Sequence, residues 1–211
     1  ELGHAPTVVF DLIEKHDIQC EAVRAGNLHM AHSANGYREL VGRCEEWARR
    51  GAPVEMLDRS TAAEKTGTKI YHGAMLDRRA GTIQPLAYVR GLASAALKSG
   101  AKLFTQSPAT AISHDGERWT VKTPGGEVRA NRLLVATGGY GEGAEQARHS
   151  TVPYFYFQCA TKPLSHNILP EILPDKNGTW DTHPVLKSFR LDAEGRLIFG
   201  SIGRFDGGGN L

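Results

Sequence analysis

The segment Leu133-Leu134-Val135-Ala136-Thr137-Gly138-Gly139 is where the residue types of this 211-residue chain bear most directly on chemistry. An apolar run ending in a small residue and two glycines lets a ligand approach the backbone closely. In open α/β sheets, ligands sit beyond the carboxyl ends of such strands. The same letters also describe a buried strand with a glycine turn, or a turn whose N–H groups hold a phosphate. Elsewhere the reactive residue types are scattered. His29 and His32, three apart on an expected strand, face opposite sides; no third ligand is spaced nearby, so no metal site is expected. Cys159 and His166 fall into no nucleophile–base order, and structural roles are expected for both.

The elements that must position these residues follow from periodicity. A helix is predicted over 6–16, with Val9, Leu12, Ile13 and His16 at helical spacing. Short strands are predicted at Glu21–Arg24 and Leu28–Ala31. A second helix runs from about Tyr37 to Arg50, with Leu40, Val41, Cys44, Trp47 and Ala48 as its buried stripe and Gly51 as its stop. Val54–Leu57 reads as a strand. Thr61 with Glu64 resembles a capping box opening a short helix that ends at Gly67, and Ile70–Leu76 reads as extended. The clearest helix spans about Pro85 to Ser99, with Pro85 in its first turn and Gly100 after it. Strands are expected at Lys102–Phe104, Ala109–Ser113, Trp119–Thr123, Glu127–Ala130, Tyr154–Thr161, Val185–Leu191 and Arg196–Ser201. Leu133–Ala136, apolar on both faces, reads as a buried strand. Asn177-Gly178-Thr179 fits a glycosylation sequon and is read as a turn. Helices followed by a strand cluster with helices between give an α+β or α/β-like fold.

Composition limits the functional classes. Lys+Arg 25 against Asp+Glu 23 gives a formal charge of +2, which removes the usual argument for nucleic acid or an anionic membrane surface. With 40% hydrophobic and 23% charged residues the chain can build a core. No apolar stretch approaches the roughly 18 residues of a membrane span, and no signal peptide is read. Three widely spaced cysteines favour a reducing, cytoplasmic setting. The chain opens without an initiator Met and closes on Gly207-Gly208-Gly209-Asn210-Leu211, and so reads as a piece of a longer protein.

Four groups of motifs, in order along the chain, carry a family resemblance. They are Gly81-Thr82-Ile83-Gln84-Pro85 with Tyr88-Val89-Arg90-Gly91-Leu92; Gly100-Ala101-Lys102-Leu103-Phe104; Leu134-Val135-Ala136-Thr137-Gly138; and Thr161-Lys162-Pro163-Leu164 with Arg196-Leu197-Ile198-Phe199-Gly200. Together they resemble the FAD-dependent oxidoreductases of the D-amino-acid oxidase, glycine oxidase and sarcosine oxidase type, in the bacterial amine branch. The resemblance implies a mixed, largely antiparallel substrate-domain sheet with flanking helices, plus part of an FAD-binding domain. On that basis 1–75 and 150–202 are expected to form the substrate-binding domain, 76–149 the partial FAD-binding domain and 203–211 a tail. The family's Gly-x-Gly-x-x-Gly, the acidic residue after it and the C-terminal flavin-closing segment are not present. The expectation is therefore an internal fragment that binds FAD weakly or not at all.

The resemblance also assigns roles. The family oxidises a C–N bond by hydride transfer to flavin, giving an imine that hydrolyses, so a small amine or amino acid is the implied substrate. Ala109 matches the strand residue whose backbone meets adenine, and Ala136, Thr137 and Gly138 match the segment beside the ribose and pyrophosphate. A cation for a substrate carboxylate is sought among Arg90, Arg190 and Arg204. Arg190 is preferred because strand alternation can turn it inward. Tyr154, Tyr156 and Phe189 are the candidate aromatic lining, unless Tyr154-Phe155-Tyr156-Phe157 is simply a strand buried on both faces. No catalytic side chain is identified. The competing expectation is a cofactor-free binding or structural module derived from such a domain.

Overall fold

The computed structural model of the chain describes residues 2–138 and 156–202. Its elements are α1 (Ala5–Lys15), β1 (Asn27–Met30), α2 (Ala34–Arg49), β2 (Val54–Leu57), α3 (Arg59–Thr66), β3 (Ala74–Asp77), α4 (Pro85–Lys98), β4 (Ala111–His114), β5 (Trp119–Thr123), β6 (Gly126–Ala130), β7 (Tyr156–Pro163), β8 (Gly178–Asp181), β9 (Lys187–Leu191) and β10 (Arg196–Ile202). The chain divides into two compact units: Glu1–Ser99 with Tyr156–Gly203, and Gly100–Phe155 with Arg204–Leu211. No helix is long and apolar enough to cross a membrane among the described residues.

The first unit is built on a seven-stranded mixed sheet in the order β2-β3-β1-β8-β9-β10-β7. β1 and β8 run parallel, Asn27 opposite Gly178 and His29 opposite Trp180; the other pairs are antiparallel. Side chains alternate between the two faces of each strand. On one face α2 lays Leu40 and Cys44 against Met75, Val54 and Met56. On the other, Leu28, Met30, Leu57, Ala74 and Leu76 close a core with Ala62 of α3 and Tyr71. A third cluster joins α1 to α4 through Ile13, Ile18 and Cys20, packed with Val9, Phe10, Tyr88 and Leu92. The second unit contains the three-stranded antiparallel sheet β4-β5-β6. Its first turn is tied by Asp115, whose Oδ1 accepts from the backbone N–H groups of Glu117 and Arg118 at 2.9 and 2.8 Å.

Several boundaries differ from the sequence-based expectation, each for a local reason. α2 starts at Ala34, before Tyr37, because the Ser33 hydroxyl accepts from Gly36 N at 3.1 Å and caps the helix. α3 is capped by Asp58, with Oδ1 accepting from Thr61 N at 2.8 Å, and not by a Thr61–Glu64 box. Glu21–Arg24 forms only a single bridge, Val23 to Thr82. Asn177-Gly178-Thr179 is the buried entry to a central strand rather than a turn: Asn177 is 2% exposed and its amide donates to Ala25 O. Lys102–Phe104 and Leu133–Ala136 form no strand, and Phe104 and Leu134 are 71% and 86% exposed. Both runs have strand composition. A strand also needs a partner for its N–H and C=O groups, and neither run finds one among the described residues.

Gly91 shows how closely α4 and the chain after α1 approach. A Cβ there would lie 2.2 Å from Ile18 Cγ2. Glycine inside a helix normally costs about 1 kcal/mol relative to alanine, so Gly91→Ala on an open surface would stabilise. Here Gly91→Ala is expected to destabilise the chain by about 1–3 kcal/mol in urea unfolding, the usual cost of overpacking. In an Ile18→Ala background the sign should reverse, and a cost of the same size in both backgrounds would refute this account.

Candidate functional site

A cleft of about 240 Å³ opens on the sheet of the first unit. Its floor includes Gly178 and Gly200, its sides Asn27, Gln158, Ser188, Arg190 and Ile198, and its rim the loop Gly81-Thr82-Ile83. Strand alternation puts Asn27, Gly178, Ser188, Arg190, Ile198, Gly200, Gln158 and Tyr156 on one face. α2 covers that face over β2, β3 and β1, and the cleft lies over the strands beyond.

The rim loop is fixed from beneath. Val23 and Thr82 exchange both backbone hydrogen bonds at 2.9 Å, and Gln84 N donates to Cys20 O at 2.7 Å. Gly81 has no room for a side chain: a Cβ would stand 2.3 Å from Val23 O and 2.6 Å from Phe10 Cζ. The two floor glycines are needed for a related reason. Neither has a positive φ, so backbone conformation does not require them. A Cβ on Gly178 would meet the Asn27 amide at 2.8 Å and Thr82 Cγ2 at 2.9 Å. A Cβ on Gly200 would meet Tyr156 Oη at 2.3 Å.

A packed relay sets the β1 side of the cleft. His29, 4% exposed, stacks on Trp180 with ring centroids 3.7 Å apart and planes 8° from parallel. Arg43 of α2 donates to His29 Nδ1 at 3.2 Å. With the Asn27 amide assigned to satisfy its neighbours, its Oδ1 accepts from Trp180 Nε1 at 2.8 Å and its Nδ2 donates to Gly178 O at 2.9 Å. Burial first, and the Arg43 charge second, push the His29 pKa down to about 4, against a smaller opposing pull from Asp181. His29 is therefore a neutral structural ring at neutral pH. His32 points elsewhere, stacking on His183 at 4.0 Å and hydrogen-bonding Thr182 Oγ1 at 2.7 Å. Among the described residues no group of three His, Cys, Asp or Glu is placed to hold a metal ion.

Of the residues singled out from sequence, Arg190 lines the cleft, with no ion-pair partner among the described residues. Among the described residues it is also the cleft's one charged lining residue. Tyr156 stands on the same face, its hydroxyl hydrogen-bonded to Ser188 Oγ at 2.8 Å. Phe189, next to Arg190, also contributes to the cleft lining, while alternation turns its ring to the opposite face, where it packs on the core around Leu28 and Met30. Arg90 lines a separate groove of about 730 Å³ beside the end of α1. Arg204 and Tyr154 lie outside the described residues. Ala109, Ala136, Thr137 and Gly138 belong to the second unit. Ala136, Thr137 and Gly138 are exposed, and Ala109 is half-buried. Gly138 has φ +57° and nothing within 4 Å of a Cβ position. An open backbone edge with small side chains suits a bulky dinucleotide that contacts main chain.

Sequence reasoning did not single out Asn27, Gln158, Ser188 or the glycines at 178 and 200 as site residues. Gly200 carried a signal, since a glycine inside a strand marks a close approach.

Comparison with known proteins places these features in a family. Residues 3–210 match the family described as FAD dependent oxidoreductase, DAO. The chain is 32% identical over 200 residues to the probable oxidoreductase OrdL of Rhizobium meliloti (strain 1021), covering 93% of this chain and 46% of that protein. It is 28% identical over 196 residues to gamma-glutamylputrescine oxidoreductase of Escherichia coli (strain K12), covering 92% and 46%. The chain thus spans about half the length of the curated relatives it matches. Its fold resembles that of glycine oxidase from Geobacillus kaustophilus, with a TM-score of 0.72 at 20% identity over 96% of this chain and 55% of that one.

The buried, neutral His29 makes stability depend on pH. Between about pH 4 and 6.5 the unfolded chain binds a proton at His29 that the folded chain refuses, so stability rises with pH across that window. His29→Phe keeps a flat ring against Trp180 and removes the proton site. In denaturant melts from pH 4.5 to 7.5 this variant is expected to lose a pH-dependent component on the order of 1–3 kcal/mol. An unchanged slope would contradict the assignment.

Proposed function

The chain belongs to the FAD-dependent oxidoreductase family, and from that membership we propose that it forms the substrate-facing part of an enzyme oxidising a C–N bond of an amine or amino acid by hydride transfer. The observation that carries this reading is the cleft, whose lining among the described residues holds one cation, Arg190, and no carboxylate. A planar guanidinium grips a substrate carboxylate through two parallel N–H···O bonds. Asn27, Gln158, Ser188 and Thr82 offer neutral hydrogen-bonding groups around it.

The electrostatics also suit the amine. A nearby cation, with no lining carboxylate among the described residues, disfavours the ammonium form and favours the neutral amine. The neutral form has the nitrogen lone pair that develops into the C=N bond as hydride leaves. FAD, when bound, supplies the hydride acceptor. Ala109, Ala136, Thr137 and Gly138 would hold it through backbone contacts, as their small side chains and open edge allow. The similarity to gamma-glutamylputrescine oxidoreductase, an enzyme of an amine substrate, supports the substrate class.

The natural polypeptide containing this chain, purified from its full reading frame, is expected to carry a flavin absorbing near about 450 nm. Arg190→Ala should raise KM for carboxylate-bearing substrates by about 10- to 100-fold, the cost of a lost charge-assisted pair, and should leave amines without a carboxylate far less affected. A colourless polypeptide, or equal losses for both substrate types, would count against the reading.

A further inference from the structure

We propose that Tyr156 is a specificity-determining residue of this site: its ring, laid across Gly200 and tied to Ser188, limits how bulky a substrate can lie beside Arg190. The inference rests on the reading of the cleft as a substrate site and adds to it the element that sets substrate size.

Tyr156 enters on the edge strand β7, two residues before Gln158, which pairs with Gly200 of β10. Gly200 in turn pairs with Ser188 of β9. To reach Ser188 Oγ at 2.8 Å, the tyrosine must cross β10, and it crosses above Gly200. A Cβ on Gly200 would be 2.3, 2.8 and 3.1 Å from Oη, Cζ and Cε1, so the hydroxyl end of the ring occupies the space a side chain there would need. Gly200 is extended and buried, which leaves the tyrosine as the reason for a glycine there. Ser188 and Arg190 share a face two residues apart, about 6.7 Å along the strand. The strap therefore closes over the floor within one side-chain length of the cation. The cleft beside the strap, lined by Gly200, Ser188 and Arg190, holds about 240 Å³, below the roughly 300–1,000 Å³ of sites for drug-sized ligands. It suits a small amino acid.

The test uses the full natural enzyme with glycine and phenylalanine as the small and bulky probes. Tyr156→Ala is expected to shift the ratio of kcat/KM for phenylalanine over glycine upward by about tenfold or more, the scale on which pocket shape discriminates. Tyr156→Phe, which keeps the ring but loses its tie to Ser188, should give a smaller shift in the same direction. Gly200→Ala supplies the independent reading, since its added methyl displaces the ring only if the ring is there. It should lower the thermal midpoint in the wild-type background and leave it nearly unchanged in the Tyr156→Ala background. An unchanged selectivity ratio in Tyr156→Ala, with turnover intact, overturns this proposal alone. So does a Gly200→Ala penalty of equal size in both backgrounds. Absence of turnover with every amine and amino acid overturns the underlying reading and this inference with it.

Discussion

The first unit depends on the parallel pairing of Asn27–Met30 with Gly178–Asp181. These strands lie some 150 residues apart in the chain, and the pairing places both at the middle of a seven-stranded sheet. Closing so long a loop costs chain entropy that grows only logarithmically with length. Burial of Leu28 and Met30 on one face, and the His29–Trp180 stack on the other, offset it. Asn177 adds a backbone tie at the strand entry and Thr182 another at its exit, where Thr182 N donates to Met30 O at 3.0 Å. Without this pairing Asn27 would not face Gly178, and the β1 wall of the cleft would have no support.

That wall is built almost wholly from neutral groups. The histidine within it is held uncharged by burial, and the tryptophan and asparagine beside it satisfy each other's polar atoms. Arg190, without an ion-pair partner among the described residues, therefore stands out in a weakly polar surrounding, where a cation attracts an anionic group more strongly than it would in open solvent. Three aspartates of the same unit are engaged with other cations or rings: Asp77 with Arg79, Asp181 with His183 and Asp192 with Arg196.

Much of this was legible in the sequence. The stripe Leu40–Cys44–Trp47 and the Pro85–Gly100 frame marked α2 and α4, and β5 and β9 lie within runs read as strands. Alternation also placed Arg190 on a face, though it could not say that Phe189 would then join the core. The apolar run Leu133–Ala136 misled because apolarity encodes a wish for burial and carries no information about the partner strand. Caps misled by a few residues for a similar reason: Asp58 and Thr61 are both good N-cap types, and only the path of the preceding strand decides between them. The cleft floor was hardest to see. Gly178 and Gly200 are glycines because of side chains arriving from other strands, a requirement that exists only once the sheet is assembled.

The burial of Asn177 has a practical corollary. Asn177-Gly178-Thr179 is an acceptor sequence that an oligosaccharyltransferase would recognise on an unfolded chain, yet in the fold its amide is sealed against Ala25 at the head of a central strand. A sugar tree attached there before folding would hold β8 away from β1 and leave the sheet in two halves. A secretory expression host could therefore yield misassembled product from this chain, whereas a host that leaves the asparagine bare avoids that failure.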